Sequence, residues 1–314
     1  MSCIEVHSLS KSYSSILAVD TIDLSVESGQ VFGFLGPNGA GKSTVIKLLT
    51  TLIQPDSGQI SVLGVNAIEE PLKIRKKIGV VLQQPSYEPT LSVEKSLEKY
   101  GMMWNVDKKT RQIRTEELLE SFELTQIRKK KNEDLSIGQR RRVQVAREFM
   151  HDMDLLFLDE PTVGLDPSAR RKLLDFLKNK VKDTGMTIFY TTHVLTEAEY
   201  LCDNIAIINN GKIITVDSPN ELKNRFGNEK TIKIHVSEQF KELPNLLKDI
   251  PDCNIEKSDG IIITIHSTNS EIVLMNILKI LNQNNIPISD LSAMPTNLEE
   301  IFLKVVSDSD ASNN

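Results

Sequence analysis

The 314-residue chain is long enough for two domains, and 39% hydrophobic with 25% charged residues is the composition of a globular protein. A net charge of −6 argues against a general nucleic-acid binder, whose footprint is basic. Cys3, Cys202 and Cys253 lie far apart with no CxxC pair, which excludes a disulfide framework and a thiolate metal site and suits a reducing compartment.

Segments 2–7 and 21–27 read as strands, the second alternating through Ile22, Leu24 and Val26. Between them, Lys11-Ser12-Tyr13-Ser14-Ser15 is polar. Tyr13 there suits an exposed turn, and its ring equally suits stacking on a flat base. The apolar run Val31–Leu35 then leads through Gly36-Pro37-Asn38-Gly39-Ala40-Gly41-Lys42-Ser43-Thr44 into a helically spaced segment at 45–49. Strand, glycine loop and helix in that order make a phosphate loop. Glycines let successive backbone N–H groups turn inward on an anion, and the helix start adds its positive dipole end. Lys42 is placed to reach the β- and γ-phosphates, and the Ser43 hydroxyl to hold Mg²⁺.

Pro55-Asp56-Ser57-Gly58 signals a turn before a short strand at 59–63, and 78–82 is another apolar run ending at Gln83. Residues 90–150 lose strand patterning and read as successive helices, one of them capped by Ser92. Tyr100-Gly101-Met102-Met103-Trp104 suits helix packing or a patch for a partner. Lysines 129–131 read as a solvated run. Leu135-Ser136-Ile137-Gly138-Gln139 precedes the helical stretch Arg140-Arg141-Arg142-Val143-Gln144-Val145-Ala146-Arg147. Serine and glycine there make an ordinary cap or a phosphate contact, and the arginines fan around the helix axis instead of lining one nucleic-acid face.

Leu155-Leu156-Phe157-Leu158 is continuously apolar, the mark of a strand covered on both faces, and closes on Asp159-Glu160-Pro161. Carboxylates at that end stand where open α/β sheets place ligands. Asp159 suits the Mg²⁺ shell and Glu160 the activation of a water, since neighbouring side chains on a strand point apart. Thr187–Thr192 is a further buried strand, ending at His193, and 205–208, Gly211 and 213–216 make a closing hairpin.

After Pro219, residues 222–230 read as a polar linker. The segment 231–306 then reads as a small α+β domain: strand 231–236, helix 238–247, strand 261–266, helix 270–282 and helix 298–306. Pro287 confines any strand around Ile286 and Ile288 to a sheet edge. Residues 307–314 are expected to be a disordered tail.

In their order these segments resemble the ATP-binding subunit of an ABC transporter, over roughly residues 4–220. Gly36 to Thr44 is similar to the Walker A loop, and Leu155 to Glu160 to the Walker B strand with its catalytic glutamate. Gln83 falls at the Q-loop glutamine, Ser136, Gly138 and Gln139 in the LSGGQ signature, Asp166 in the D-loop, and His193 at the switch histidine. Tyr13 falls at the adenine-stacking position, so the resemblance favours stacking. Ile137 departs from the pattern, standing where the signature has its first glycine. Gly79-Val80-Val81-Leu82-Gln83, the arginine run and Pro295-Thr296-Asn297-Leu298-Glu299-Glu300-Ile301-Phe302-Leu303 resemble the ATPases of drug-resistance exporters.

The resemblance implies an α/β P-loop NTPase of ABC type. Its mixed-sheet core would span 1–221 with a helical signature subdomain at about 86–150, followed by the small C-terminal α+β domain. It implies ATP and Mg²⁺ as ligands, the ion held by Ser43, Gln83 and Asp159. ATP would contact Tyr13, the loop from Gly36 to Thr44, and Ser136, Gly138, Gln139 and Asp166. Hydrolysis would use Lys42, Gln83, Glu160 and His193. The implied partners are a second ATPase subunit, identical or related, and an integral membrane permease, with no nucleic acid. No run approaches the ~20 apolar residues that cross a bilayer, and 1–5 shows no signal-peptide pattern. The expected location is therefore cytoplasmic, at the inner face of the cell membrane through the permease. An ABC-type ATPase acting on a soluble target is the competing reading. A GTPase is disfavoured, because Asn179-Lys180-Val181-Lys182 has lysine where a base-reading aspartate belongs.

Overall fold

Two long strands open the chain: β1 (Ser2–Tyr13) pairs antiparallel with β2 (Ile16–Glu27). The computed structural model describes residues 2–84, 86–226, 230–237, 239–240, 242–259, 261–295 and 298–312. The polar segment from Lys11 is thus strand as far as Tyr13, which pairs with Ile16. Next come β3 (Val31–Leu35), α1 (Lys42–Leu49), β4 (Ser57–Val62), β5 (Val65–Asn66), α2 (Pro71–Arg75) and β6 (Ile78–Val81). The helices α3 (Val93–Met103), α4 (Lys108–Ser121) and α5 (Ile137–Glu148) form the helical segment. After it follow β7 (Leu155–Asp159), α6 (Pro167–Thr184), β8 (Thr187–Thr192), α7 (Leu195–Leu201), β9 (Asn204–Asn209) and β10 (Lys212–Asp217).

One four-stranded antiparallel sheet has the order β2-β1-β4-β5, and a six-stranded sheet the order β10-β9-β3-β8-β7-β6. The latter is parallel through β9, β3, β8, β7 and β6, with β10 antiparallel at its edge. Every residue of β3, β7 and β8 is buried, as continuous apolar runs require. Because those strands run the same way, their C-terminal ends bring Gly36, Gln83, Glu160 and His193 to one edge. The turn Asn210-Gly211 joins β9 to β10 with both φ values positive, 48° and 77°, which matches a hairpin turn to the strand twist.

In the helical segment, Ser92 caps α3 by accepting from the Lys95 N–H, and Asp107 caps α4 by accepting from Thr110 N–H. Trp104 lies flat on His151, with centroids 3.9 Å apart and planes 1° apart, and Tyr100 donates to Glu148 at 2.7 Å. The aromatic members of the 100–104 cluster are packed, while Met102 and Met103 are exposed.

The chain divides into Met1–Ser218 and Pro219–Asn314. The second unit begins with α8 (Pro219–Phe226), so residues 222–226, expected as linker, continue a helix that starts at a proline and buries Leu222. It continues with β11 (Lys230–Val236), α9 (Leu243–Leu247), β12 (Asn254–Ser258), β13 (Ile262–Ser267), α10 (Ser270–Gln283), β14 (Ile288–Pro295) and α11 (Leu298–Ser312). The helix expected at 238–247 is confined to α9, beginning at Leu243-Pro244, since proline belongs in a first turn. The sheet order is β12-β13-β11-β14, antiparallel throughout. Alternate residues Ile232, Ile234 and Val236 pack against Val273, Ile277 and Leu281 of α10. β14 begins just after Pro287 and lies at the sheet edge. Residues 307–312, expected as tail, extend α11. Asn313 and Asn314, the rest of that tail, and Thr296 and Asn297 of the drug-resistance-like segment lie outside the described residues.

Candidate nucleotide-binding site

The loop from Gly36 to Gly41 is shaped by positions that exclude side chains. A Cβ on Gly36 would stand 2.3 Å from Ile208 O, and one on Gly41, at φ 109°, 2.4 Å from Ala18 O. Gly41 opens α1 with no side-chain cap, so the first-turn N–H groups beside Lys42, Ser43 and Thr44 face an incoming anion. Pro37 O accepts from Ala40 N–H at 3.2 Å, holding Asn38 and Gly39 at the exposed tip. Lys42 is only 6% exposed; its Nζ donates to Gly36 O at 2.7 Å and Pro37 O at 3.1 Å. Burial lowers its pKa, opposed by the carboxylates of Glu160 and Asp159.

Glu160 is the meeting point. One carboxylate oxygen lies 3.7 Å from Lys42 Nζ; the other lies 3.3 Å from His193 Nδ1 and accepts from Gln83 Nε2 at 3.4 Å. Its backbone has φ 48°, a strained setting for a side-chain-bearing residue. Glu160 N–H is held by Thr191, through O and Oγ1 at 3.1 Å each. Buried Asp159 points elsewhere and accepts from Thr191 Oγ1 at 2.7 Å. The four groups Lys42, Gln83, Glu160 and His193 therefore converge although 151 positions separate the first from the last.

Ser136 caps α5 by accepting from Gln139 N–H at 3.2 Å while Gln139 Oε1 accepts from Ser136 N–H at 3.0 Å, a reciprocal capping box. Ile137 is 66% exposed. Asp166 caps α6 by accepting from Ala169 N–H at 3.0 Å, which holds its carboxyl below the usual range. Among the described residues no hydrogen bond or ion pair joins Ser136, Gly138, Gln139 or Asp166 to the phosphate loop. Tyr13 ends β1 44% exposed.

Three residues of this region carried no signal in the sequence: Thr191, Arg141 and Glu197. Buried Glu197 Oε2 accepts from Tyr190 Oη at 2.7 Å, Thr192 Oγ1 at 2.9 Å and Thr162 Oγ1 at 3.0 Å, and its other oxygen lies 3.2 Å from Arg170 Nε. Thr192 Oγ1 in turn accepts from Val194 N–H at 2.9 Å, fixing the turn that carries His193. Burial and the adjoining Glu197 carboxylate push the Tyr190 phenol well above its usual pKa.

The side chains of Asp159, Ser43 and Gln83 carry hard oxygen donors of the kind magnesium takes. Among the described residues no group of three His, Cys, Asp or Glu side chains could hold a metal unaided.

A glycine loop at the end of β3, an acidic strand end on β7 and a serine capping α5 define a P-loop nucleotide hydrolase. Residues 19–163 match the ABC transporter family and residues 218–306 the C-terminal domain of DrrA1-3-like ATP-binding proteins. The chain is 35% identical over 305 residues to the linearmycin resistance ATP-binding protein LnrL of Bacillus subtilis (strain 168), covering 96% of this chain and 97% of that one. It is 35% identical over 311 residues to the daunorubicin/doxorubicin resistance ATP-binding protein DrrA of Streptomyces peucetius, covering 96% and 91%. The dimeric ATP-binding cassette MJ0796, solved with ADP and Pi in a post-hydrolysis state, superposes with a TM-score of 0.64 at 26% identity, over 68% of this chain and 98% of that one. The chain belongs to the ABC transporter family as an ATP-binding subunit of the drug-resistance exporter type, and its activity is ATP hydrolysis.

Proposed function

We propose that two such subunits, identical or related, close over two ATP molecules and drive a separate integral membrane permease from the cytoplasmic face. The observation that carries this reading is the convergence on Glu160 of Lys42 at 3.7 Å and His193 at 3.3 Å. One chain supplies the phosphate loop and the base, and a second supplies the signature. Binding at that seam favours the closed pair, hydrolysis removes the glue, and the permease reads the alternation as a population shift.

In this reading Tyr13 stacks on adenine, and the N–H groups from Gly36 to Thr44 cradle the phosphates. Lys42 leaves its carbonyl partners for the β- and γ-phosphates. Glu160 takes a proton from the attacking water, whose oxygen bonds to the γ-phosphorus as the bond to the ADP oxygen breaks. Gln83 and His193 orient the water and the γ-phosphate. Ser136, Gly138 and Gln139 of one subunit, with Asp166, complete the site of the other. Ser43, Asp159 and Gln83 would hold magnesium together with the phosphates, where the ion would supply charge neutralisation.

The test is Glu160→Gln. With ATP it should run at twice the monomer mass in light scattering, while turnover falls roughly 10²–10⁴-fold, the range for a lost general base. A variant that stays monomeric at saturating ATP overturns the shared-seam reading.

A further inference from the structure

Arg141 is 6% exposed, in the middle of an arginine run whose neighbours face elsewhere. Arg140 lies over the Tyr87 ring, and Arg142 donates to Phe122 O at 2.9 Å. The Arg141 guanidinium spends its donors on the backbone of the catalytic edge. Nη2 donates to Asp159 O at 2.5 Å and Glu160 O at 2.9 Å, and Nε to Pro161 O at 3.2 Å. Nη1 donates to Leu82 O at 2.7 Å, one residue before Gln83, and to Gln144 Oε1 at 2.9 Å. Gln144 repeats the pattern, its Nε2 donating to Leu82 O and Gln84 O at 3.3 Å each. One cation thereby binds the carbonyl side of the strained Glu160 turn, the approach to Gln83, and the helix that begins at Ser136. Burial pushes its pKa down to about 10, against the pull of Asp159, Tyr190 and Glu160.

We infer that Arg141 is a positioning residue for hydrolysis, setting the Glu160 and Gln83 backbones and making their placement depend on the seating of the signature helix. The role rests on reading Glu160 as the base. A planar fork with five N–H groups reaches acceptors on three segments at once; a lysine ammonium has three donors and no fixed plane. A residue that aims Glu160 affects the chemical step and leaves nucleotide capture to Lys42 and the phosphate loop.

The experiment compares wild type, Arg141→Lys, Arg141→Gln, Glu160→Gln and the double variant Arg141→Lys/Glu160→Gln. It reads kcat, KM and the affinity for a fluorescent ATP analogue. Arg141→Lys should lower kcat roughly 10- to 100-fold, the scale of a misplaced catalytic group, with KM and analogue affinity within about threefold. In the Glu160→Gln background the same substitution should cost less than it does alone, because its action through the carboxylate is already removed and only that through Gln83 remains. Wild-type kcat in Arg141→Lys, or losses that multiply in the double variant, overturns the inference. Near-normal kcat in Glu160→Gln instead removes the base assignment, and the role of Arg141 falls with it. If neither Arg141 variant folds, Gln144→Leu, which takes away the guanidinium's side-chain partner, should show a smaller fall in kcat at unchanged KM; an unchanged kcat there sinks the inference.

Discussion

A Cβ placed on Gly138 would lie 2.5 Å from the carbonyl oxygen of Gly164, so the start of α5 and the loop before Asp166 meet backbone to backbone. Gly164 itself holds φ 81°, with Ile137 Cγ2 2.9 Å from where its own Cβ would stand. Neither segment has room to yield to a side chain. Gly138→Ala should therefore displace the signature, at about 1–3 kcal/mol of overpacking. ATP turnover should fall at least roughly tenfold, and analogue binding by the monomer should not change. Full turnover in this variant would show that the seam tolerates a methyl group.

Lys42→Ala should weaken nucleotide binding itself. Charge-assisted hydrogen bonds contribute about 1.5–3 kcal/mol each, so the Kd for ATP should rise roughly 10- to 100-fold. Calorimetric titration checks this, and an unchanged Kd contradicts the phosphate-contact role.

Glu197→Ala strips the acceptor from Tyr190, Thr162 and Thr192 together. Breaking a buried charged network by removing one partner costs about 3–5 kcal/mol. Urea unfolding should show that loss, and turnover should fall as the His193 turn loosens. Glu197→Gln keeps an acceptor oxygen and should lose less. Equal stability in both variants would deny the network its weight.

Glu148 predicts a pH dependence. Burial pushes its carboxyl from the ordinary 4.5 up to about 7, and hydrogen bonds from Tyr100 and the Val80 N–H, with the nearby Arg147 charge, only partly oppose the rise. The folded chain thus holds this proton more tightly than the unfolded one. The stability from that proton is complete below pH 4.5 and is lost as pH rises through about 7. The loss is on the order of 3 kcal/mol at about 1.4 kcal/mol per unit. Glu148→Gln should abolish that fall in unfolding free energy between pH 5 and 8. A variant with the wild-type slope refutes the assignment.

The phosphate loop is legible because its constraints are local: Gly36 and Gly41 are glycines since backbone oxygens leave no room for Cβ. The unbroken apolar runs of β3, β7 and β8 likewise announce their two-sided burial. Arg141, Thr191 and Glu197 are not legible, since their partners become neighbours only through the order β8-β7-β6. No local period encodes that order. Arg141 reads as one more arginine fanned around a helix axis until Leu82 and Glu160 are brought beside it. The α8 boundary was hidden by composition: Leu-Lys-Asn-Arg-Phe is polar enough for a linker, and only the burial of Leu222 reveals a helix. Tyr13 reads as turn because serines and lysine surround it, yet pairing with β2 carries the strand to that point.

Trp104 is the one indole in the sequence, and it lies face to face with the His151 imidazole at 3.9 Å. Near-ultraviolet emission selected for tryptophan therefore originates from a single spot, where α3 meets the stretch leading to β7. A protonated imidazole quenches an indole stacked on it. Desolvation holds His151 neutral below the usual histidine range, so brightness should persist to mildly acid conditions and dim only beyond them. The molecule carries its own unlabelled optical gauge of that junction.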